Sequence, residues 1–585
     1  MSSIEGFKLP VSYLESKVKL PSNLIDDLEL NSLKSDENHC IYDYIFPNQS
    51  ENGRKTFHLW SEYVTWDVSF LRQTQSIIDN SNIQCLFDAS HTDLIRKTET
   101  EVTSLTEETN FEEKYQYLDW EWCQMLNKSS TFMQASAFYS LTSPVISLLM
   151  PLLFLIVPFF LLRFRGAKLS LTSYLSLLKE VARYHAFGKL FTEFGSGGWD
   201  KRFYLLMSTG FYLFQVYQNA ASCLRFHKNM ARIHTTLMQV KEYASYSSSV
   251  MNKYCEIAKG HSKYKPFCEA LKQRCSVLES LYDSLSTLTE YGLSIRKIGE
   301  IGKAMSLFYV LKTDADINDA LQYSFYFHAY LENISTLSQQ RVSKKLGKGI
   351  FVSNDVKQEI KEAAYPPLVN KSHTNPTKNT ISLSKNQVIT GPNASGKTTL
   401  LKTILINIIL TQQTGLGYYK KAVFTPFTQF HCYLNIPDTS GRDSLFQAEA
   451  RRCKEILDII NNKQDNERHL CIFDELYSGT NPYEAIASAS SFLEYISAIS
   501  NVTFYLTTHF TAVCETVKSN KNIKNYHMET LVLPTVDNSI IEYKYTFKQK
   551  PGISRHRGGL SVLRDLGYPN EITSRAQEII RSVTV

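Results

Sequence analysis

The chain has 585 residues, which is more than one domain usually holds and predicts roughly two to four domains. It is 43% hydrophobic and 21% charged, a balance typical of a folded protein with sizeable cores and not of a disordered chain. The net charge of +6 is small for this length, so it permits contact with nucleic acid or a membrane surface without requiring either. The 11 cysteines include no C-x-x-C pair, which is typical of a reducing compartment.

The first region, residues 1–135, is polar with aromatic and acidic patches, and its pattern does not identify a fold. Met1–Leu20 lacks the apolar core of a secretory signal peptide. No group of side chains in this region is spaced as a catalytic site would be. It is therefore an N-terminal region of unknown fold.

The second region, residues 136–226, contains the most apolar stretch of the chain. Leu141–Leu162 carries no charge, and about 20 apolar residues in a helix are enough to cross a bilayer. Pro144, Pro151 and Pro158 would disrupt a helix in water, whereas membrane helices tolerate prolines. The stretch therefore predicts a transmembrane helix, and the alternative is a buried core helix.

The charges that flank this stretch predict its orientation. Arg163 and Arg165 follow it directly, and the positive-inside rule places that flank in the cytoplasm. Phe203–Leu224 is a second uncharged stretch, but Gln215 and Asn219 make it less apolar, so a second span and a buried amphipathic helix both remain open. We expect a membrane-associated protein whose C-terminal domain faces the cytoplasm.

The third region, residues 227–350, shows helical periodicity with few prolines and glycines. Apolar side chains recur at helical spacing, for example at Ile233, Leu237, Val240 and Tyr243. This pattern predicts an all-α domain that serves as a lever or core for the C-terminal domain.

The last region, residues 351–585, contains the phosphate-loop pattern Gly391–Thr399. A short apolar run precedes it and a helical pattern follows, which is the context that G-x-x-x-x-G-K-[ST] requires. Backbone N–H groups of such a loop and the helix N-terminus bind phosphates. Lys397 is placed to reach the terminal phosphates, and Thr398 to ligate Mg²⁺. The region therefore predicts a binding site for ATP and Mg²⁺.

Two further strand patterns end in polar residues of the kind that hydrolysis needs. His469–Phe473 reads as a buried strand and is followed by Asp474 and Glu475. At the carboxyl end of a parallel strand these carboxylates would lie beside the nucleotide, Asp474 at the Mg²⁺ shell and Glu475 at the attacking water. The next strand, Val502–Leu506, is followed closely by His509, which is expected to contact the γ-phosphate or that water.

The loop, with its Thr-Gly-Pro-Asn start, resembles that of the MutS family of DNA mismatch repair ATPases. Asp474–Thr480 is similar to the family's second motif and following loop, and Thr508–Phe510 to its histidine switch. Ser444–Glu449 resembles the family's Ser-x-Phe-x-x-Glu segment, whose serine acts on the partner subunit's nucleotide. Asn525–His527 resembles its Asn-x-His, whose histidine packs on the adenine. The resemblance covers about residues 360–582.

This resemblance implies a fold, an assembly and a set of site residues. The fold is an α/β P-loop NTPase domain of the ABC/MutS type, carried by the all-α lever or core domain. Two subunits would pair head to tail and share each ATP site, as a homodimer or as a heterodimer with another MutS-like subunit. Catalytic roles are expected for Glu475 and His509, and Mg²⁺ ligation for Thr398 and Asp474. The residues expected to bind the nucleotide are Gly391, Pro392, Asn393, Ala394, Ser395, Gly396, Lys397, Thr398, Thr399, Ser444 and His527.

The chain also departs from mismatch-repair members of the family. Ala394 and Ser395 stand where those members usually carry Met-Gly, and Pro376–Lys378 stands where some offer an aromatic residue for base stacking. No Phe-x-Glu mismatch-reading segment is recognisable in the N-terminal region.

The function expected from these features is that of an ATPase that works as a conformational switch. In the first hypothesis it binds double-stranded DNA, in mismatch repair or recombination. In the alternative it is a membrane-anchored ATPase that uses the same MutS-type ATPase domain for assembly or membrane organisation, without mismatch recognition. Half of a transporter is disfavoured, because the Leu-Ser-Gly-Gly-Gln signature is missing and one or two spans are too few.

Overall fold

A computed structural model describes residues 6–583 except for 32–38, 48–50, most of 167–197, 290–298, 354, 371–375, 435–443, 463–466, 534–541 and most of 555–565. The helices are α1 (Ser22–Leu28), α2 (Ile41–Ile45), α3 (Phe57–Trp60), α4 (Val68–Ile78), α5 (Ser81–Leu86), α6 (Thr92–Glu107), α7 (Phe111–Tyr115), α8 (Ser130–Phe164), α9 (Trp199–Ala258), α10 (Lys265–Ser286), α11 (Ile301–Thr313), α12 (Ala315–Val342), α13 (Pro366–Asn370), α14 (Lys397–Thr414), α15 (Leu445–Asn461), α16 (Pro482–Ser497), α17 (Thr511–Thr516) and α18 (Asn570–Val583). The strands are β1 (Lys17–Lys19), β2 (Tyr63–Thr65), β3 (Gly347–Phe351), β4 (Glu359–Ala363), β5 (Asn379–Ser382), β6 (Asn386–Thr390), β7 (Leu416–Gly417), β8 (Lys421–Phe424), β9 (Gln429–Tyr433), β10 (His469–Asp474), β11 (Val502–Thr508), β12 (Ile523–Leu533) and β13 (Glu542–Pro551).

The chain divides into two units that are not contiguous in sequence. Unit 1 contains residues 1–90, 250–273 and 323–585, and unit 2 contains residues 91–249 and 274–322. Residues 1–90 therefore belong to the unit that carries the phosphate loop.

Unit 1 is organised around a six-stranded sheet with the order β13-β12-β6-β11-β10-β9. The five strands from β12 to β9 run parallel, and β13 pairs antiparallel with β12. Nearly every residue of β6, β10 and β11 is buried, as expected of parallel strands covered on both faces. Because parallel strands end at the same edge of a sheet, the residues that follow β6, β10 and β11 are brought together there.

Two smaller sheets complete the β structure described in unit 1. One has five strands in the order β5-β4-β8-β3-β7, and the other is the antiparallel pair β1-β2. The second half of α14 connects these parts through buried amides. Gln412 Nε2 donates to the carbonyl oxygens of Thr65 (3.1 Å) and Phe427 (2.7 Å), and Gln413 Nε2 donates to that of Trp60 (2.5 Å). The N-terminal region thus supplies hydrogen-bond acceptors to the helix that follows the phosphate loop.

Two buried histidines face each other across β9 and β10. Nε2 of His431 lies 3.0 Å from Nδ1 of His469, and the rings are stacked. The two residues are 4% and 1% exposed. Burial lowers the pKa of His431 to about 3 and holds the pKa of His469 below its ordinary value, with the nearby Glu467 opposing the shift of His469.

This histidine pair predicts a loss of stability in mild acid. The unfolded chain binds a proton at His431 below about pH 6.5, whereas the folded chain keeps this histidine neutral down to about pH 3. We expect the free energy of unfolding of unit 1 to fall by about 2 kcal/mol between pH 7 and pH 5 from His431 alone. Urea titrations of the wild type and of His431→Gln at both pH values measure it. An equal pH dependence in the two proteins would contradict this account.

Unit 2 is helical within its described residues. The N–H of Gly302 in α11 donates to Oε1 of Gln134 in α8 at 2.8 Å, and a Cβ atom on Gly302 would lie 2.4 Å from Ser130 O. The two helices therefore approach at a point where a side chain would not fit. Tyr212 in α9 donates through its hydroxyl to the carbonyl oxygen of Ser147 in α8 at 2.8 Å.

The predicted membrane helices are not supported by the structure. In the part of the chain that the structure describes, no helix combines the length and the apolar character that crossing a bilayer requires. The predicted span Leu141–Leu162 lies in α8, where several of its side chains are outside the described residues, and Phe203–Leu224 lies in α9.

Candidate functional site

The phosphate loop connects β6 to α14 at the edge where the parallel strands end. Ala394 and Gly396 adopt left-handed backbone conformations, with φ of 59° and 89°. Glycine takes this conformation without strain, which explains Gly396 at the point where the loop enters the helix. Asn393 and Ala394 are exposed, whereas Gly391, Pro392 and Ser395 are buried. The hydroxyl of Ser395 is buried with no hydrogen-bond partner among the described residues.

Lys397, the first residue of α14, is folded against its own loop. Its Nζ donates to the carbonyl oxygens of Gly391 (3.0 Å) and Pro392 (3.2 Å), and the residue is 7% exposed. Burial lowers its pKa, and the negative charges of Glu475 and Asp474 oppose that shift. The lysine is therefore held inside the loop, next to Glu475, which the sequence predicts to be catalytic, and Asp474, which it predicts to ligate Mg²⁺.

The next residue of the helix contacts the end of β10. Thr398 Oγ1 donates to Oδ2 of Asp474 at 2.7 Å, and Thr507 at the end of β11 donates to Oδ1 of the same carboxylate. Thr399 is exposed one residue further along α14. A hydroxyl and a carboxylate are hard oxygen ligands, so the Thr398–Asp474 pair fits the Mg²⁺ predicted from the sequence.

Glu475 follows Asp474 in a left-handed backbone conformation, with φ of 54°. Its Oε1 lies 2.6 Å from Nε2 of His509, and both side chains are partly exposed. The hydrogen bond and charge of His509 hold the pKa of Glu475 below its ordinary value, although burial opposes the shift. The carboxylate is thus kept ionised, which is the form that accepts a proton from water.

Two side chains that the sequence did not single out touch the loop from the neighbouring hairpin of β12 and β13. A Cβ atom on Gly391 would lie 3.1 Å from Met528 Cβ, and one on Gly396 would lie 2.9 Å from Phe547 Cδ1. Phe547 has a φ of 56° in the part of the hairpin where the register shifts. Strand periodicity gives no signal for this contact, because the irregularity turns the ring out of the alternating pattern.

His527, predicted to pack on the adenine, lies on β12 beside the start of the loop. It is paired in register with Thr390, the residue that precedes Gly391. The side chain is half-buried, and its Nδ1 has no hydrogen-bond partner among the described residues. Its neighbour Met528 lies against the loop glycines, since Cβ atoms on Gly391 and Gly396 would be 3.1 Å and 3.8 Å from the Met528 side chain.

Ser444, predicted to act on a partner's nucleotide, is the N-cap of α15. Its Oγ accepts from Gln447 N at 3.3 Å, and its own N–H donates to Gln447 Oε1 at 2.9 Å, which forms a capping box. Ser444 is exposed and its side chain bonds within its own helix. The structure therefore brings the phosphate loop, Asp474, Glu475 and His509 together, and places Ser444 on a separate element.

The C-terminal part of the chain, which contains this site, is similar to known proteins. Residues 387–584 match the family MutS domain V. The chain is 33% identical over 204 residues to the DNA mismatch repair protein MutS of Bacteroides fragilis, which covers 34% of this chain and 22% of that protein. It is 29% identical over 233 residues to MutS protein homolog 4 of Mus musculus, which covers 38% and 23%. It is 25% identical over 338 residues to the MutS of Persephonella marina, which covers 57% and 37%.

The sheet order, the phosphate loop and the family match define residues 387–584 as a P-loop ATPase-type α/β domain. The matches support a place for this part of the chain in the MutS family. The chain spans less than two-fifths of the length of each of the three relatives named above.

Proposed function

We propose that this chain is a MutS-type ATPase that uses ATP binding and hydrolysis as a conformational switch on double-stranded DNA. The observation that carries the proposal is the pair of contacts beside the phosphate loop, Thr398 to Asp474 and Glu475 to His509. Thr398 lies in the first turn of α14, Asp474 and Glu475 lie at the end of β10, and His509 directly follows β11. All are at the carboxyl edge of the parallel sheet, where nucleotides bind in α/β folds.

Each of these residues has a role that its contacts support. The loop N–H groups and the N-terminus of α14 would bind the phosphates, and Lys397 would exchange its carbonyl partners for phosphate oxygens. Thr398 and Asp474 would hold Mg²⁺, which when bound neutralises the charge that develops on the phosphates. Glu475 would orient the attacking water and accept its proton, and His509 would hold that carboxylate in its ionised form.

The proposed function includes binding of DNA and pairing of two subunits. The relatives from Bacteroides fragilis and Persephonella marina are named DNA mismatch repair proteins. The exposed position of Ser444 supports a site shared between subunits, since its hydroxyl is held at a helix N-terminus instead of at the phosphate loop of its own chain.

ATP hydrolysis by the full chain, with and without DNA, tests this function. We expect homoduplex, mismatched or branched DNA to raise the rate several-fold, and DNA affinity to fall linearly in log–log plots against salt. The matched control is Lys397→Ala, which removes the ammonium group of the phosphate loop. Wild-type hydrolysis no greater than that of Lys397→Ala would contradict the ATPase. Hydrolysis that no DNA form changes, together with no salt-dependent binding, would contradict the DNA switch.

A further inference from the structure

The loop that follows Glu475 is held in a costly conformation. Glu475 and Tyr477 both have left-handed backbone angles, with φ of 54° and 58°, and neither is a glycine. Strained residues of this kind persist only where surrounding contacts hold them. The contacts on residues 476–480 therefore decide where the Glu475 carboxylate points.

A buried carboxylate from another element supplies those contacts. Glu449 lies in α15, five residues after Ser444, and is 2% exposed. Its Oε1 accepts from Ser478 N at 3.1 Å and from Ser478 Oγ at 3.0 Å. Its Oε2 accepts from Gly479 N at 3.1 Å. Both oxygens are thus used on a single loop, and hydrogen bonds to a charged acceptor are stronger than neutral ones.

The start of α15 also packs directly on this loop. A Cβ atom on Gly479 would lie 2.8 Å from Leu445 Cγ and 2.8 Å from Phe446 N, so only glycine fits there without a shift. The rings of Phe446 and Tyr477 lie 5.8 Å apart. The helix that begins at Ser444 and the loop that begins at Glu475 are therefore joined by packing as well as by hydrogen bonds.

We infer that Glu449 is a positioning residue for ATP hydrolysis, which holds the strained 476–480 loop and thereby orients Glu475. The inference rests on the proposed function, because it concerns the efficiency of the same reaction. Helix α15 then has a second role, because any displacement of Ser444 is transmitted through Glu449 to Glu475. The contacts of Glu449 given above are with Ser478 and Gly479 and not with the phosphate loop or Glu475. Glu449 therefore acts on Glu475 through the 476–480 loop.

Glu449→Gln tests this role. The two side chains have nearly the same volume, but in glutamine one of the two acceptor oxygens is replaced by an NH₂ group that only donates. We expect kcat for ATP to fall about 10- to 100-fold with KM close to wild type, since a misplaced catalytic group slows the chemical step, and the melting temperature to fall by only a few degrees. Ser478→Ala removes only the hydroxyl donor, and we expect a smaller fall in kcat with the same KM. Glu455→Gln is the matched control, because Glu455 is an exposed residue of the same helix, paired with Arg452.

Wild-type kcat in Glu449→Gln would overturn the inference. A loss of ATP affinity that parallels the loss of kcat would also overturn it, because that is the pattern of a purely structural residue. If Glu449→Gln does not fold, Ser478→Ala decides: a lower kcat at unchanged KM supports the inference, and wild-type kinetics overturn it. The proposed function is tested separately, by whether the wild type hydrolyses ATP faster than Lys397→Ala.

Discussion

Replacing Glu475 by glutamine is expected to slow ATP hydrolysis by about 10²- to 10⁴-fold, the usual contribution of a positioned general base. Glutamine has nearly the same shape but does not accept the proton of the attacking water. The phosphate loop, Lys397 and the Thr398–Asp474 pair are unchanged in this variant, so ATP binding should persist. The variant should therefore accumulate in the ATP-bound state.

Single-turnover experiments measure the rate of hydrolysis, and equilibrium binding measures the affinity for ATP. The control is Glu494→Gln, the same chemical change at an exposed position of α16. Normal turnover in Glu475→Gln would refute the assignment of the general base. Loss of ATP binding together with turnover would show instead that Glu475 supports the loop and not the chemical step.

Mixing two inactive variants is expected to restore hydrolysis if each site is shared between subunits. Ser444→Ala alone and Glu475→Gln alone should both be inactive as homodimers. In a mixed dimer, one site combines the intact Glu475 of the first variant with the intact Ser444 of the second. Random pairing of equal amounts puts half of the dimers in this mixed form, each with one working site, so the mixture should recover about a quarter of wild-type activity.

The same mixture distinguishes a shared site from a site built within one chain. If Ser444 serves its own phosphate loop, every chain in the mixture remains defective and no activity returns. Mixing Ser444→Ala with Lys397→Ala is a second version of the test and should give the same recovery, because the two changes also fall on different sides of one interface. An unmixed sample of each variant at the same total concentration is the control.

The phosphate loop and the acidic pair were predictable from sequence because their signals are local. Gly391–Thr399 combines a loop pattern with a strand before it and a helix after it, and the structure has β6 and α14 in those places. Asp474 and Glu475 follow a continuous apolar run, which is how a parallel strand buried on both faces appears in sequence. The match to MutS domain V is confined to this part of the chain.

Two contacts at the site could not be predicted from the sequence. Phe547 lies close to Gly396 at an irregularity of the β12–β13 hairpin, where strand periodicity does not predict which way a side chain faces. Glu449 was visible as part of a family segment, but its three bonds to Ser478 and Gly479 join residues about 30 positions apart. The apolar stretch Leu141–Leu162 predicted a membrane helix that the described structure does not support.

The sequence by itself was enough to locate the phosphate loop, because such a loop needs a short run of residues with particular backbone freedom and charge. Only the tertiary structure decided that residues 1–90 belong to the same unit as that loop, through acceptors such as Trp60 and Thr65 for the buried amides of α14. It also decided that Glu449 accepts hydrogen bonds from Ser478 and Gly479 in the loop that follows Glu475. Such contacts depend on chain segments that meet only when the fold has formed, and periodicity along one segment carries no information about its partner.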